Sequence, residues 1–567
     1  MPYIPSQNRE QLMLCSLDSF VAPDSIARII DAFVQHLDIT ALGFAKSTAA
    51  YEGRPSYDPR SLLALYIYGS RNSIRSSRKL AEACRINIEV KWLMGGLEPD
   101  FRTISDFRKD NISHLKDVFH EFNRRLASAD IPVGFISVDG SKFQAWNAKD
   151  ANFTANKLDD RITWLNQRTD EYLRTLENMD DMDEEPANGQ LTRDEVLLKL
   201  DEAEKRLEKY KFYRQYMEET GLAQLSITDA DSRLMKSKNG FIVAYNVQTA
   251  VDSESHIIRD FQVTNQVTDH GLLNATASPL RADGEILDAV ADKGYNQSDD
   301  MIACLENGVV PHVILPDGQS SYELELPFET AQDVDVSSNK PEDLRKALRA
   351  GKIPDAYKDV ITKIEVLDTK RWIRDSSSPE TPASPYGSTE DMKQRAASGY
   401  FVRDPERNVV YCPMQEVLHQ KCIKKNGVIR YANRAACKRC PNRNRCLSGK
   451  LEWKEVDFTK DSLEKPCRKW CSDSASSVKV YKPRKGRFEP MQIVRFIFTP
   501  KPALMQKRLC ISEHPFGTLK RSMDAGYFLL RSKLKVAGEF ALFSIGYNIQ
   551  RAVNLLGFER VMAAVSC

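Results

Sequence analysis

Nowhere does the chain carry an uninterrupted apolar run near the roughly 18 residues that a membrane-spanning helix needs, so no membrane is expected among its partners. It is also short of net charge: 81 Lys and Arg against 79 Asp and Glu leave +2, which by itself selects no partner. The opening residues MPYIPSQNREQ lack the basic start and apolar stretch of a signal peptide. A cytoplasmic chain is expected, and in that compartment its twelve cysteines are poor candidates for disulfides. What remains is ordinary globular composition, 42% hydrophobic and 28% charged, over 567 residues that can hold several domains.

The charges that are present are unevenly spread. Residues 177–185 (ENMDDMDEE) hold six acids and no base, whereas residues 421–450 hold ten Lys or Arg and no acid. Further basic runs lie at Lys482–Arg487 and Arg531–Lys535. Basic faces of this kind attract phosphate backbones.

Residues 1–130 place apolar positions at helical spacing, with cap-type residues at Asp24, Asp58 and Ser105 before periodic runs. Two helices and a turn are expected within residues 58–95, the second opening on Arg75, Arg78 and Lys79. That pattern fits a helix-turn-helix presenting cations to DNA, and equally a plain helical bundle with solvated arginines.

The stretch that organises the rest is IPVGFISVDGSKFQAW, residues 131–146. Val133 to Val138, bounded by Pro132 and Gly140, reads as a buried strand delivering one carboxylate, Asp139, to its end. Two long charged segments follow. Leu158, Ile162, Leu165, Thr169, Tyr172 and Leu176 step by four and three, as do Leu200, Ala203, Leu207, Tyr210, Arg214 and Met217, which predicts an antiparallel helical hairpin across the acidic loop, a solvated arm. Strands then resume with FIVAYNVQTAVD (241–252) and HIIRDFQVTNQ (256–266), followed by a helix over about 269–281 and the strand EILDAVADKGY (285–295). A hairpin, a helix and a strand make an α/β order, and Asp292 closes its last strand. The helix Ser298–Glu306 and the strand VVPHVILP come next.

From about 317 to 500 the α/β rhythm is lost, and residues 374–391 are rich in Ser and Pro. Cys437 and Cys440 form a CxxC pair, with Cys446 six residues on and Cys412 upstream; four thiolates so spaced suit one tetrahedral structural zinc. Cys422, Cys467 and Cys471 compete for the fourth position, and free reduced thiols are the alternative to a metal. The C-terminal part holds Glu513, and Lys520 lies two helical turns further along the same face, followed by Arg521.

Asp139, Asp292 and Glu513 would gather at one sheet edge if the first two close neighbouring strands and the third lies on a helix against them. Two Mg²⁺ or Mn²⁺ ions about 4 Å apart, held by such acids, can activate an oxygen on one side of a phosphodiester and stabilise the leaving oxygen on the other. Asp231, Asp269 and Glu539 are set aside as turn or helix residues, with Glu539 the first alternative to Glu513.

FRTISDFRKDN, SVDGSKFQAWNAK, ADKGY, YCP with ACKRCPNRNRC, and SEHPFGTLKR together resemble bacterial insertion-sequence transposases of the DDE, ribonuclease H-like superfamily, in the group with a helical insert and a cysteine-bearing insert. The resemblance covers nearly the whole chain. It implies a ribonuclease H-like mixed-sheet core (131–155, 223–316 and 491–567), a helical N-terminal DNA-binding domain (1–130), a helical hairpin (156–222) and an irregular, zinc-ribbon-like insert (317–490). It further implies Mg²⁺-dependent cleavage at terminal inverted repeats, strand transfer into target DNA and a homodimer that joins two ends. A related pattern, Tyr, two residues, Arg, three residues, Glu, six residues, Lys, matches at Glu513 and Lys520. Gln506 and Leu509 stand at its Tyr and Arg positions, and Arg508 comes one residue early, so Arg508 and Lys520 are expected as phosphate contacts on charge. The competing readings are a non-catalytic DNA-binding regulator and a metal nuclease without strand transfer.

Overall fold

The computed structural model describes residues 15–48, 55–180, 192–237, 240–316, 319–374, 389–397, 399–424, 427–442, 446–447, 452–459, 462–467 and 486–566. Much of the acidic loop, the Ser/Pro-rich stretch, most of the Lys482–Arg487 run and Cys471 lie outside them. The chain forms two compact units, residues 1–367 with 493–567, and residues 368–492.

In the first unit, six α-helices among the described residues precede the sheet: α1 (Ile26–Gln35), α2 (Pro59–Arg71), α3 (Ser77–Ile86), α4 (Ile88–Leu93), α5 (Phe101–Asn111) and α6 (Leu115–Ala127). Asp58 caps α2 as its sequence suggests, but the caps of α1 and α5 are Ser25 and Asp100. Asn87 breaks the expected second helix of the helix-turn-helix, because its side chain accepts from Val90 N and starts α4. These helices do not stand apart. The helix Lys533–Leu556 is buried nearly all round from Val536 to Ala552, and a helix without a polar face must be enclosed on every side. It packs on α2, α6 and the sheet, so the N-terminal and C-terminal segments share one apolar core.

The central sheet is built from β1 (Ile136–Gln144), β4 (Arg233–Ser237), β5 (Gly240–Asp252), β6 (Ile258–Thr264), β7 (Leu287–Ala291) and β8 (Val309–Val313), after the short pair β2 (Asn152–Thr154) and β3 (Gln224–Ser226). β6, β5 and β1 are antiparallel neighbours, and β1, β7 and β8 are parallel, giving the order β6-β5-β1-β7-β8 with β4 also on β5. This is a mixed α/β sheet. The amide of Asn548 donates to Ile258 O and accepts from Ile258 N, occupying the backbone groups of β6 that a further strand would have taken.

β1 differs from its sequence reading. It begins at Ile136 rather than Val133 and runs past Asp139 to Gln144, because the 13-residue β5 supplies partners as far as Gln144↔Ala244. What stops near Asp139 is the other neighbour, β7, which ends at Ala291.

The arm consists of α7 (Ala155–Asp180) and α8 (Arg193–Thr220). Leu158, Leu165, Ala203 and Met217 of the expected stripes are buried, and a Thr192–Glu195 capping box opens α8.

The second unit is not irregular. Its strands Tyr400–Asp404, Val409–Tyr411, Val417–Ile423, Ile429–Ala432 and Glu455–Phe458 form an antiparallel meander, and Glu464–Pro466 returns beside the first. Strands of three to seven residues with half-exposed faces leave little apolar periodicity to read, and the core reduces to side chains such as Phe401, Val410, Tyr431 and Phe458. Among the described residues no helix is long and apolar enough to cross a membrane.

Candidate active site

The parallel pairing of β1 with β7 sets Ile136 opposite Ala289 and Ser137 opposite Val290. Carried two residues further, the same register puts Asp139 beside Asp292, which has just left the end of β7. Asp292 then caps a short 3₁₀ turn, Lys293–Tyr295, and accepts from Gly294 N at 2.7 Å. Asp139 accepts from Gly140 N at 2.9 Å, and Arg508 Nη1 stands 3.7 Å from its Oδ2. Burial pushes the Asp139 carboxyl up to about 6; the charges of Asp292 and Asp269 add to this and Arg508 opposes it.

Glu513 lies on the helix Pro502–Ser522, which packs along β1. Arg508 of this helix meets Asp139, and Lys520 Nζ donates to Ser141 Oγ at 2.6 Å and to Lys142 O at 3.0 Å. Glu513 is exposed between those two anchors, on the face of Lys520 seven residues before it. The start of the helix is fixed from the sheet: Lys501 N donates to His312 Nδ1 at 3.1 Å, which leaves the Nε2 proton of this fully buried imidazole for Asp288 at 2.7 Å.

A fourth carboxylate, set aside in the sequence, is also here. Asp269 Oδ1 accepts from Asn246 Nδ2 at 2.6 Å, Gln248 Nε2 at 2.8 Å and Lys142 Nζ at 3.2 Å. Tyr295, of the ADKGY segment, is buried among the same acids and donates its hydroxyl to Gln248 Oε1; burial first and then these acids raise its own titration. The signal that could have revealed this layer is Asn246 and Gln248, two amides on one face of a strand otherwise read as buried. Gly140 lies against it: a Cβ there would come within 2.3 Å of Gln248 Nε2 and 2.7 Å of Asp269 Oδ1. Gly140→Ala is therefore expected to cost about 1–3 kcal/mol through overpacking, read from the denaturation midpoint, and to lower activity with it.

Other expected residues sit elsewhere. Arg75 is not open to a phosphate: it precedes α3, is buried, and pairs with Glu539 Oε1 at 2.9 Å while donating to the carbonyls of Asp524 and Tyr527. The same contact removes Glu539 from consideration as a third acid, since Leu529 N and Leu530 N occupy its carboxylate too. Asp231 accepts from Lys533 N, as a turn residue would. Arg508 is buried, with Nε lacking a hydrogen-bond partner, rather than presented at the surface. Arg78, Lys79 and Arg521 are exposed.

In the second unit, Cys412, Cys437, Cys440 and Cys446 line one pocket, and Cys446 Sγ stands 3.6 Å from Cys467 Sγ. Burial raises the Cys412 thiol; the Cys467 hydrogen bond and burial raise Cys446. Among the described residues, however, no group of three or more His, Cys, Asp or Glu is arranged to hold a metal, so the expected zinc finds gathered thiols without a ligand set.

Because burial beside like charge raises Asp139, the native state binds its proton more tightly than the unfolded chain. That penalty is absent below about pH 4, where both states are protonated, and is complete above about pH 6. Asp139→Asn is expected to stabilise the cation-free protein at pH 7 by about 2–3 kcal/mol and to change little at pH 4, measured by urea denaturation in chelator.

Neither the curated proteins nor the solved structures contain a match to the chain. A family model described as a transposase domain (DUF772) matches residues 15–110, spanning α1 to α5. A second, for the transposase DDE domain, matches residues 219–549 and takes in Asp269, Asp292 and Glu513, with Asp139 upstream of it. That match covers more than half of the chain, which therefore belongs to the DDE transposases of insertion sequences, enzymes that act on DNA.

Proposed function

We propose that this transposase moves its element by cut and paste, hydrolysing the DNA backbone at the element's ends and joining the freed 3′-hydroxyl to target DNA. The observation that carries the reading is the strand register that sets Asp139 beside Asp292, with the helix of Glu513 held along the same strand by Arg508 and Lys520. The order β6-β5-β1-β7-β8, three antiparallel strands followed by two parallel ones, supports a ribonuclease H-like core.

The donors at Asp139 and Asp292 are all oxygen, and Mg²⁺ or Mn²⁺ is taken by one or two carboxylates, so this pair fits such an ion although among the described residues no group of three acids is arranged around one. Asp139 and Asp292 would hold such ions, with Glu513 joining them from its exposed place on the helix; when bound the ions supply activation of the attacking oxygen and stabilisation of the leaving one. Arg508 limits the repulsion among the acids from its place beside Asp139. Lys520 holds the third acid's helix on β1, and Arg521, Arg78 and Lys79 offer exposed charge to phosphates. Two ends must be brought together for joining, so a homodimer on the inverted repeats is the proposed working form.

The test is incubation of purified protein with labelled element ends and a target plasmid in Mg²⁺. Joined products support the reading. Cleavage without joining would reduce the protein to a nuclease, and end binding with no cleavage would make it a regulator.

A further inference from the structure

Asp269 lies on the loop after β6, and everything around it is arranged to hold one of its oxygens still. Oδ1 takes three N–H donors, two from β5 and one from Lys142 of β1. The amides cannot turn: Gln248 Nε2 also donates to Asn246 Oδ1 at 3.1 Å, Gln248 Oε1 accepts from Tyr295, and Asn246 Nδ2 reaches Gln266 O at 3.3 Å. Three donors on one oxygen fix the plane of the carboxylate. Oδ2 has no hydrogen bond among the described residues. It lies 3.8 Å from the position a Cβ would take on Gly294, the residue whose N–H binds Asp292, while Oδ1 lies 2.7 Å from the Cβ position of Gly140, next to Asp139. Glycine at position 140 is what lets this carboxylate come so close to Asp139, while its distance to position 294 is an ordinary contact.

We propose that Asp269 is a positioning carboxylate of the catalytic site, whose fixed Oδ2 accepts hydrogen bonds from the water that hydrates the divalent ions at Asp139 and Asp292. The proposal rests on the reading of those two acids as cation ligands. Asp269 acts through water rather than as a ligand, because three N–H donors already hold its carboxylate in place. Mg²⁺ keeps several waters when bound, so a rigid acceptor beside it raises affinity and orients those waters without touching the metal. Loss of such a partner typically weakens metal binding about 10- to 100-fold.

The measurement is the Kd of Mn²⁺ for the full-length protein without DNA, from the free-ion signal in electron paramagnetic resonance, together with the Mg²⁺ concentration that gives half-maximal cleavage. Asp269→Asn keeps the shape of the side chain and is expected to raise both by about tenfold, with a smaller fall in cleavage at saturating Mg²⁺. An unchanged Kd overturns the proposal, as does a fall in the plateau with no shift in Mg²⁺ dependence, which a purely structural role would produce. Should Asp269→Asn fail to fold, Lys142→Met loosens Asp269 while retaining its charge; a severalfold rise in Kd supports the proposal and no change refutes it. Asp139→Asn is the control: if that variant binds Mn²⁺ like the parent, the reading of the acid pair is at fault, independently of Asp269.

Discussion

Asp139→Asn and Asp292→Asn each lower cleavage of a DNA end by at least about a thousandfold, the equivalent of about 4 kcal/mol of transition-state stabilisation, while binding to that end stays within about twofold. The two variants are expected to lose activity alike because the β1–β7 register, carried past Ala291, sets the two residues side by side. Asn preserves the hydrogen bonds from Gly140 N and Gly294 N, so the backbone stays in place and only charge is lost. Glu513→Gln behaves in the same way if its exposed carboxylate joins them. Gel-shift and cleavage assays on the same preparations separate the effects. Retained cleavage in any one variant would remove that residue from the site.

The second large effect is on folding. Arg75→Ala lowers stability by about 3–5 kcal/mol, because it strands the Glu539 carboxylate in an interior where the two side chains are only 6% and 8% exposed. It also leaves the carbonyls of Asp524 and Tyr527 without their donor. The paired replacement Arg75→Met with Glu539→Leu recovers most of the loss, since a buried ion pair contributes little over a well-packed apolar pair. Below its lower melting temperature, the Arg75→Ala protein keeps the salt dependence of DNA binding. Arg78→Ala and Lys79→Ala do the reverse: stability changes little, and each reduces the slope of log K against log salt by about one where it meets a phosphate.

The contrast between these cations shows what a linear reading can reach. Arg75, Arg78 and Lys79 look alike along the chain, three bases at the opening of a helix. What separates Arg75 is Glu539, 464 residues away, and no local pattern announces a partner at that distance. The adjacency of Asp139 and Asp292 was legible because each ends or interrupts an apolar run, and it needed only that the two runs pair in parallel. The arm was legible for a different reason: its buried stripe, with Leu158, Leu165, Ala203 and Met217, repeats at helical spacing over many turns. The placement of Asp269 was not legible because it is fixed by Asn246 and Gln248, polar residues that a strand pattern treats as interruptions. The second unit was lost because strands as short as Val409–Tyr411 carry too few residues to establish a period.

The arm leaves and returns to the body through β2 and β3, where Asn152 to Thr154 pair with Ser226 to Gln224 and Asn152 Nδ2 reaches Ser226 Oγ at 2.7 Å. Paired strand residues lie about 5 Å apart, so the two ends of the excursion are already neighbours, and a two-residue turn would close the chain across them. The arm is thus a cassette: evolution or an engineer can lengthen it, exchange it or excise it without altering the spacing of a single residue in the sheet beneath.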